Sequence, residues 1–373
     1  MISTLVFWQN CLSQHQLPYI RRICEDNRVS RVVLVSPVGV AKNRIAMGFG
    51  AQVDLGDIEL VLDPTDEDVK RLYKETEGKS VHLYSGIRAN KFVFKWLKIG
   101  FAFDVKRGII TELPNTYSFR FDIKNLKPLF LHRLRFALCD KKYAKRIDYV
   151  FAMGLEACRY FKSVYSGWSV FPFSYSVECE KMSSVISAED SLNINIAFVG
   201  SISKRKNAKL ILEASDRIKD NHFAIHLCGD GSERSDCEAY AKLHDMNNVK
   251  FYGFVRNEQI PSILSSVDVL ILPSLYDGWG AVVNEALLAG CFVVCSDQCG
   301  AKDLLTDKQR GLVFKAGDID GLTWCLSYIQ DNVSSIRQGR EERRSWAEKH
   351  ISPKAIAEYF VDCITGQRTS DLY

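Results

Sequence analysis

The chain has 373 residues, enough for about two domains at roughly 100–200 residues each, and 47% of them are hydrophobic. That composition supports two apolar cores; no segment is low-complexity, and the lack of an internal repeat at solenoid periods excludes a solenoid. The net charge of +4 hides an asymmetry: residues 1–180 hold 27 Lys and Arg against 19 Asp and Glu, the rest 22 against 26, so the first half is the one expected to meet an anionic surface. Thr4–Trp8 reads as a strand and Leu17–Glu25 as a helix. Arg31–Ser36 and Glu59–Leu62 read as strands, Asp66–Glu75 as a helix, and Val81–Tyr84 as a strand. Asp148–Ala152 reads as the last strand of this half, followed by a helix over Gly154–Tyr165. Such alternation predicts a parallel sheet with helices on both faces.

Residues 170–190 break the pattern, and the polar run Glu178–Asp190 is the expected linker. The rhythm then restarts. Strands are predicted over Ile194–Val199, Ala224–Cys228, Val249–Tyr252, Val267–Leu272 and Phe292–Ser296. Helices are predicted over Ala208–Ile218, Glu233–His244, Gln259–Ser265 and Val282–Ala289. Near-continuous apolar runs such as Val-Asp-Val-Leu-Ile-Leu fit strands buried on both faces. The C-terminus reads as helical over Asp320–Asp331, Arg337–His350 and Ala355–Ile364.

The 12 cysteines are scattered and form no Cys-x-x-Cys pair, so neither a disulfide framework nor a zinc knuckle is supported. Cys295 and Cys299 read as two small buried residues flanking a turn. Thiols in this number imply a reducing compartment. The apolar run at the N-terminus stops at Gln9 without a basic lead, and no stretch approaches roughly 18 apolar residues. The expected location is cytoplasmic, at the inner face of a membrane if residues 124–146 meet one. That stretch, from Lys124 to Arg146, interleaves eight Lys and Arg with Leu and Phe. It reads either as a solvated helix face over a core stripe or as a face for anionic lipid. No nucleic-acid partner is expected.

The chemistry concentrates in Leu272-Pro-Ser-Leu-Tyr-Asp-Gly-Trp-Gly-Ala-Val-Val-Asn-Glu-Ala. A buried strand ends at Pro273, a two-glycine loop follows, and then a helix. Ligands of open α/β sheets bind beyond the carboxyl ends of such strands, and a helix N-terminus offers free N–H groups to an anion. Asp277, in the loop, and Glu285, one turn into the helix, can then accept hydrogen bonds from sugar and ribose hydroxyls.

This segment resembles the acidic-x7-acidic motif of family-four retaining glycosyltransferases of the GT-B fold. The resemblance extends over residues 194–330 through Phe198-Val-Gly-Ser-Ile-Ser-Lys-Arg-Lys, Leu227-Cys-Gly-Asp-Gly, Phe251-Tyr-Gly-Phe-Val, 297–304 and Gly311-Leu-Val-Phe. It implies two Rossmann-like domains facing across a cleft. An acceptor domain would span 1–175, a donor domain 190–351, and a C-terminal helix within 352–373 would cross back to the first domain. It also implies the donor site: Glu285 on the ribose, Asp277 on the donor sugar, Gly200 beside the diphosphate and Lys206 as the phosphate clamp. Ser201 stands where the family carries an arginine, which leaves Arg205 or Lys204 to supply that charge. Gly229, Gly278, Trp279 and Gly280 complete the implied donor site. Asp277 and Lys206 are the implied catalytic pair, with no metal or other cofactor. Gly229-Asp-Gly231 reads equally as a plain strand-to-helix turn.

In the first half, His15 and Ser85 follow strands and are candidate acceptor contacts by position. Ser13-Gln-His-Gln16 reads equally as a capping box, and His82, inside an apolar run, reads as a core residue. The implied partners are a nucleotide-sugar donor and a glycan or lipid-linked saccharide acceptor in surface polysaccharide assembly. Alternatives are a non-transferring 2-epimerase-like enzyme and an inactive sugar-binding partner protein. A dinucleotide-dependent dehydrogenase is excluded, because neither Gln9-Asn-Cys-Leu-Ser nor Gly200-Ser-Ile-Ser-Lys-Arg carries Gly-x-Gly-x-x-Gly.

Overall fold

The computed structural model describes residues 2–42, 45, 53–114, 128–178, 193–218, 222–368 and 372–373. The chain divides into two compact units, one of residues 1–177 with 353–372, the other of residues 178–352 with Tyr373. Most of the expected linker, and Lys124 and Lys127 of the basic stretch, lie outside the described residues.

The first unit holds a seven-stranded parallel sheet. Its strands are β1 (Ile2–Trp8), β2 (Val29–Ser36), β3 (Glu59–Leu62), β4 (Ser80–Ser85), β5 (Lys106–Thr111), β6 (Tyr149–Met153) and β7 (Ser169–Phe173), in the order β3-β2-β1-β4-β5-β6-β7. Two of these strands differ from the sequence reading. Asp148–Ala152 is not the last strand, because Ser169–Phe173 pairs beside it. Pro172 is tolerated there because β7 is the edge strand, where a missing N–H costs least. The strand at Lys106–Thr111 was masked by its basic start. Arg107 is only 8% exposed, and its guanidinium donates to the carbonyls of Gly100 and Phe103, both at 2.6 Å.

The core of this unit is aromatic. Trp8, fully buried, stacks on Tyr73, His82 and Tyr84. His82 is a core residue, as expected. Trp8 Nε1 donates to its Nδ1 at 3.1 Å, and its Nε2 lies 3.1 Å from the Thr76 hydroxyl. Burial pushes the His82 pKa down to about 3, so the ring is neutral. The final helix, Pro353–Thr365, belongs to this unit. It buries Phe360 against Phe7 and Phe151, at 5.8 and 4.5 Å between ring centroids, and Arg28 ion-pairs with its Asp362 at 2.6 Å. The chain thus returns to the first unit, as the resemblance implied.

The second unit repeats the plan with a six-stranded parallel sheet. Its strands are β8 (Ile194–Val199), β9 (Phe223–Cys228), β10 (Val249–Gly253), β11 (Val269–Leu272), β12 (Phe292–Ser296) and β13 (Gly311–Phe314), in the order β10-β9-β8-β11-β12-β13. β11 and β12 are buried on both faces, which explains their unbroken apolar runs. The long helix expected over Arg337–His350 is two, Val333–Gln338 and Arg340–Ile351, meeting at Gly339. Arg337 makes a two-point ion pair with buried Asp268, both bonds at 3.1 Å, which ties the first of these helices to the start of β11.

Candidate active site

In the strand order of the second unit, the sequence of connections reverses between β8 and β11. Loops beyond the carboxyl ends of two such strands diverge to opposite faces and leave a crevice. The loop after β8 carries Gly200, Ser201, Arg205 and Lys206; the loop after β11 carries Asp277, Gly278, Trp279 and Gly280.

The first loop is fixed by its neighbour after β9. Gly200 N donates to the Cys228 carbonyl and Ile202 N to that of Asp230, each at 2.9 Å, and Glu233 N donates to the Ile202 carbonyl at 3.0 Å. This contact requires glycine at 229, where a Cβ would sit 1.8 Å from the Gly200 oxygen. Gly229 therefore lets the two loops close on each other. Buried Ile202 anchors the segment, and Ser203 to Lys206 forms a turn that brings the lysine back towards Gly200. A Cβ on Gly200 would lie 3.9 Å from Lys206 Nζ. Ser201 is exposed.

The second loop is pinned from below by the chain after β12. Asp277 N donates to the Gln298 carbonyl at 3.0 Å, and Gly300 N donates to the Asp277 carbonyl at 3.1 Å. Trp279 is 1% exposed, and its Nε1 donates to Asn284 Oδ1 at 2.8 Å. Its side chain therefore supports the loop from within. Gly280 adopts φ +94°, and a Cβ there would approach Cys299 Sγ to 2.8 Å. Glycine is needed on both counts. Cys295 and Cys299 are both buried beneath this turn.

The two loops meet through charge. Lys206 Nζ forms an ion pair with Asp277 Oδ2, both side chains 13% exposed. Arg205 Nη1 lies 3.8 Å from the same oxygen and donates to the Tyr276 carbonyl at 2.8 Å. Leu275 N donates to the Arg205 carbonyl at 2.8 Å. Lys206, Arg205, Gly200 and Asp277 are therefore gathered into one cluster. The sequence singled out Asp277 and Lys206 separately and did not foresee that each is the other's partner.

Glu285 sits in the first turn of the helix Val282–Leu288, directly after the pinned loop. It is half-buried, and burial alone pushes its carboxyl pKa up to about 7. A carboxylate held at that cost, with no cation among the described residues to lower its pKa, is poised to accept hydrogen bonds from neutral hydroxyls. Among the described residues, no group of three or more His, Cys, Asp and Glu side chains is arranged to hold a metal ion. The arrangement can hold an anion on Lys206 and Arg205 and stabilise charge developing there.

His15 and Ser85 lie in the first unit, after β1 and at the end of β4, which are neighbouring strands. Both are half-buried, and the His15 ring lies 5.8 Å from that of Tyr175. The capping box that was the alternative reading of Ser13-Gln-His-Gln16 does not form. The N-cap of the helix Leu17–Cys24 makes no side-chain cap bond, and the Gln16 amide instead accepts from Gln9 Nε2 at 2.6 Å.

Residues 184–350 match the family described as glycosyl transferases group 1. Over 172 residues, 44% of either chain, the sequence is 28% identical to 2-deoxystreptamine glucosyltransferase of Streptomyces kanamyceticus. Over 162 residues, 41% of this chain and 45% of the relative, it is 28% identical to lipopolysaccharide 1,6-galactosyltransferase of Escherichia coli strain K12. The chain spans about half the length of the curated relatives it matches. The fold is similar to the crystal structure of Anabaena HepE in complex with UDP and glucose, with a TM-score of 0.68 at 14% identity over 98% of this chain and 100% of that one. That likeness lies in the architecture: two α/β units of the GT-B type.

Proposed function

We propose that the chain is a retaining, metal-independent glycosyltransferase of the family-four kind, moving a sugar from a nucleotide-sugar donor to a glycan or lipid-linked saccharide. The observation that carries the reading is the cluster of Lys206, Arg205 and Asp277 at the switch point between β8 and β11. Support comes from the family match of the same unit and from the sugar-transferring names of the relatives. UDP and glucose in the similar crystal structure support a nucleotide-sugar donor.

In this reading the acceptor oxygen bonds to the donor C1 while the bond from C1 to the diphosphate oxygen breaks. The acceptor proton passes to the departing diphosphate on the same face, so configuration at C1 is retained. Negative charge builds on the leaving diphosphate, and Lys206 with Arg205 supplies fixed positive charge there, the task a metal ion would otherwise perform. Glu285 receives the ribose hydroxyls, and Asp277 holds Lys206 in place beside the sugar. His15 and Ser85 are proposed on the acceptor side.

The test is incubation of the purified chain with UDP-, GDP- and ADP-sugars and a membrane glycolipid extract, with EDTA present. Release of one nucleoside diphosphate is expected, together with a glycolipid whose new linkage has the donor's anomeric configuration by NMR. An inverted product would overturn retention. Donor consumption that yields only free or epimerised sugar would overturn transfer.

The proposal of a lipid-linked acceptor draws support from the first unit's surface. No helix among the described residues is long and apolar enough to cross a membrane. Phe130, Leu134 and Leu138, four residues apart, are 54%, 46% and 75% exposed, and Arg133, Arg135, Lys141, Lys142, Lys145 and Arg146 are exposed around them. Phe136 in the same stretch is buried, and the three exposed apolar residues support the reading as a face for anionic lipid. In the proposed reading this face rests on an anionic membrane surface on the cytoplasmic side. The wild-type chain is expected to float with vesicles containing phosphatidylglycerol and not with pure phosphatidylcholine. Leu138→Glu should lose that flotation; its persistence would remove the membrane role.

A further inference from the structure

The second unit carries a second concavity, away from the residues assigned to catalysis. It has a volume of about 340 Å³, at the lower end of the range typical of ligand pockets. Phe292, which opens β12, and Gln309, just before β13, line it. It therefore sits at the amino ends of the strands, whereas Lys206 and Asp277 follow the carboxyl ends. The inner wall is built: Arg343, 4% exposed, lies 5.8 Å from the centre of the Phe292 ring and donates to the carbonyls of Gly290 and Gln309 at 2.9 and 3.3 Å.

Two features select the chemistry of an occupant. The rim presents neutral groups that both donate and accept, from Gln309, Asn332, Ser335 and Gln338, with one exposed charge of each sign, Lys308 and Glu342. With Arg343 in the wall, its own N–H groups turned to backbone carbonyls, this rim of amides and a hydroxyl matches a ligand dense in hydroxyls. Beside it stands an aromatic platform. Tyr328 lines the concavity and stacks with Trp324, ring centroids 5.7 Å apart and planes 28° from parallel. Trp324 is 60% exposed, although the opposite side of its helix, Ile319–Asp331, is buried at Leu322, Cys325, Leu326 and Ile329. The exposed indole and the adjoining concavity together offer a ligand an apolar face beside neutral hydrogen-bonding groups. The exposed indole of Trp324, backed by Tyr328, offers an apolar face to the C–H groups of a pyranose while the rim amides meet its hydroxyls.

We infer that the Trp324–Tyr328 platform and the adjoining concavity form a second saccharide-binding site, which holds a distal part of the glycan while its end is extended elsewhere. The choice of a saccharide rests on the glycosyl-transfer reading. A site of this kind raises the local concentration of a long acceptor, so it lowers KM for long glycans and leaves kcat unchanged.

The test uses the full chain and four probes: maltohexaose, isomaltohexaose, cellohexaose and the core oligosaccharide released from rough lipopolysaccharide by mild acid. Binding is read by saturation-transfer NMR. At least one probe is expected to bind, with affinity reduced tenfold or more in Trp324→Ala and also reduced in Gln338→Ala. Both positions are exposed, so the variants should melt with the wild type. Lys206→Gln should bind the probe as the wild type does, which separates failure of this site from failure of the donor site. If no probe binds at millimolar concentration, or if Trp324→Ala binds undiminished, the inference is wrong.

Discussion

Lys206→Gln is expected to lower kcat/KM by about 100- to 1,000-fold, the loss typical when one preorganised group facing a developing negative charge is removed. Glutamine keeps most of the length and can still donate to Asp277, so the loops after β8 and β11 remain bridged while the positive charge is lost. The larger truncation, Lys206→Ala, leaves a carboxylate that is 13% exposed with Arg205 at 3.8 Å as its remaining cation among the described residues, and it should lower the melting temperature where Lys206→Gln does not. The two variants thus separate catalysis from architecture. Steady-state kinetics with saturating donor, alongside melting curves, check this. If Lys206→Gln retained a third or more of wild-type kcat/KM, the charge would not serve the transition state.

The second large effect concerns Glu285. Its pKa is about 7 in the folded chain, against an ordinary carboxyl value of 4.5. Between those values the native state binds more protons than the unfolded state, so this group subtracts stability progressively as pH rises from about 4.5 to 7. The penalty is complete above that window. Glu285→Gln is therefore expected to melt higher than the wild type at pH 8, with the difference shrinking to nothing near pH 4.5. The same substitution should weaken donor binding, because an amide accepts ribose hydroxyls less well than a carboxylate. Stability gained with binding lost is the signature of a residue kept for function. Melting curves from pH 4.5 to 8.5 decide the first half. A difference independent of pH would mean that the carboxylate is not held against its preference.

These expectations draw on two kinds of information, and the sequence holds them unequally. Strands such as β11 and β12 were legible because burial on both faces leaves an unbroken apolar run. β5 was not, because it begins Lys106-Arg107 and the cost of burying Arg107 is met by the carbonyls of Gly100 and Phe103, which no pattern of side chains reveals. β7 was hidden by Pro172, which reads as a breaker until its place at the sheet edge is known. Within the site, Asp277 and Glu285 were visible as two acids at fixed spacing around a glycine loop. The ion pair of Lys206 with Asp277 was not, since it joins residues 71 positions apart and arises only because β8 and β11 are neighbours in the sheet. Trp279 was placed in the donor site by the motif alone, and its indole N–H donation to Asn284, five residues on, could not be read there. The Trp324–Tyr328 platform left a signal that went unread: an exposed Trp and a Tyr four residues apart on an otherwise amphipathic helix.

The most direct measurement is thermal denaturation of the purified chain with UDP-glucose, GDP-mannose and ADP-glucose in turn. A ligand that binds only the folded state adds about 2.7 kcal/mol at one hundred times its dissociation constant. One nucleotide class is expected to raise the melting temperature, and Glu285→Ala should abolish that rise. No rise with any of the three donors, or an undiminished rise in the variant, would contradict the assignment of the second unit as a nucleotide-sugar site.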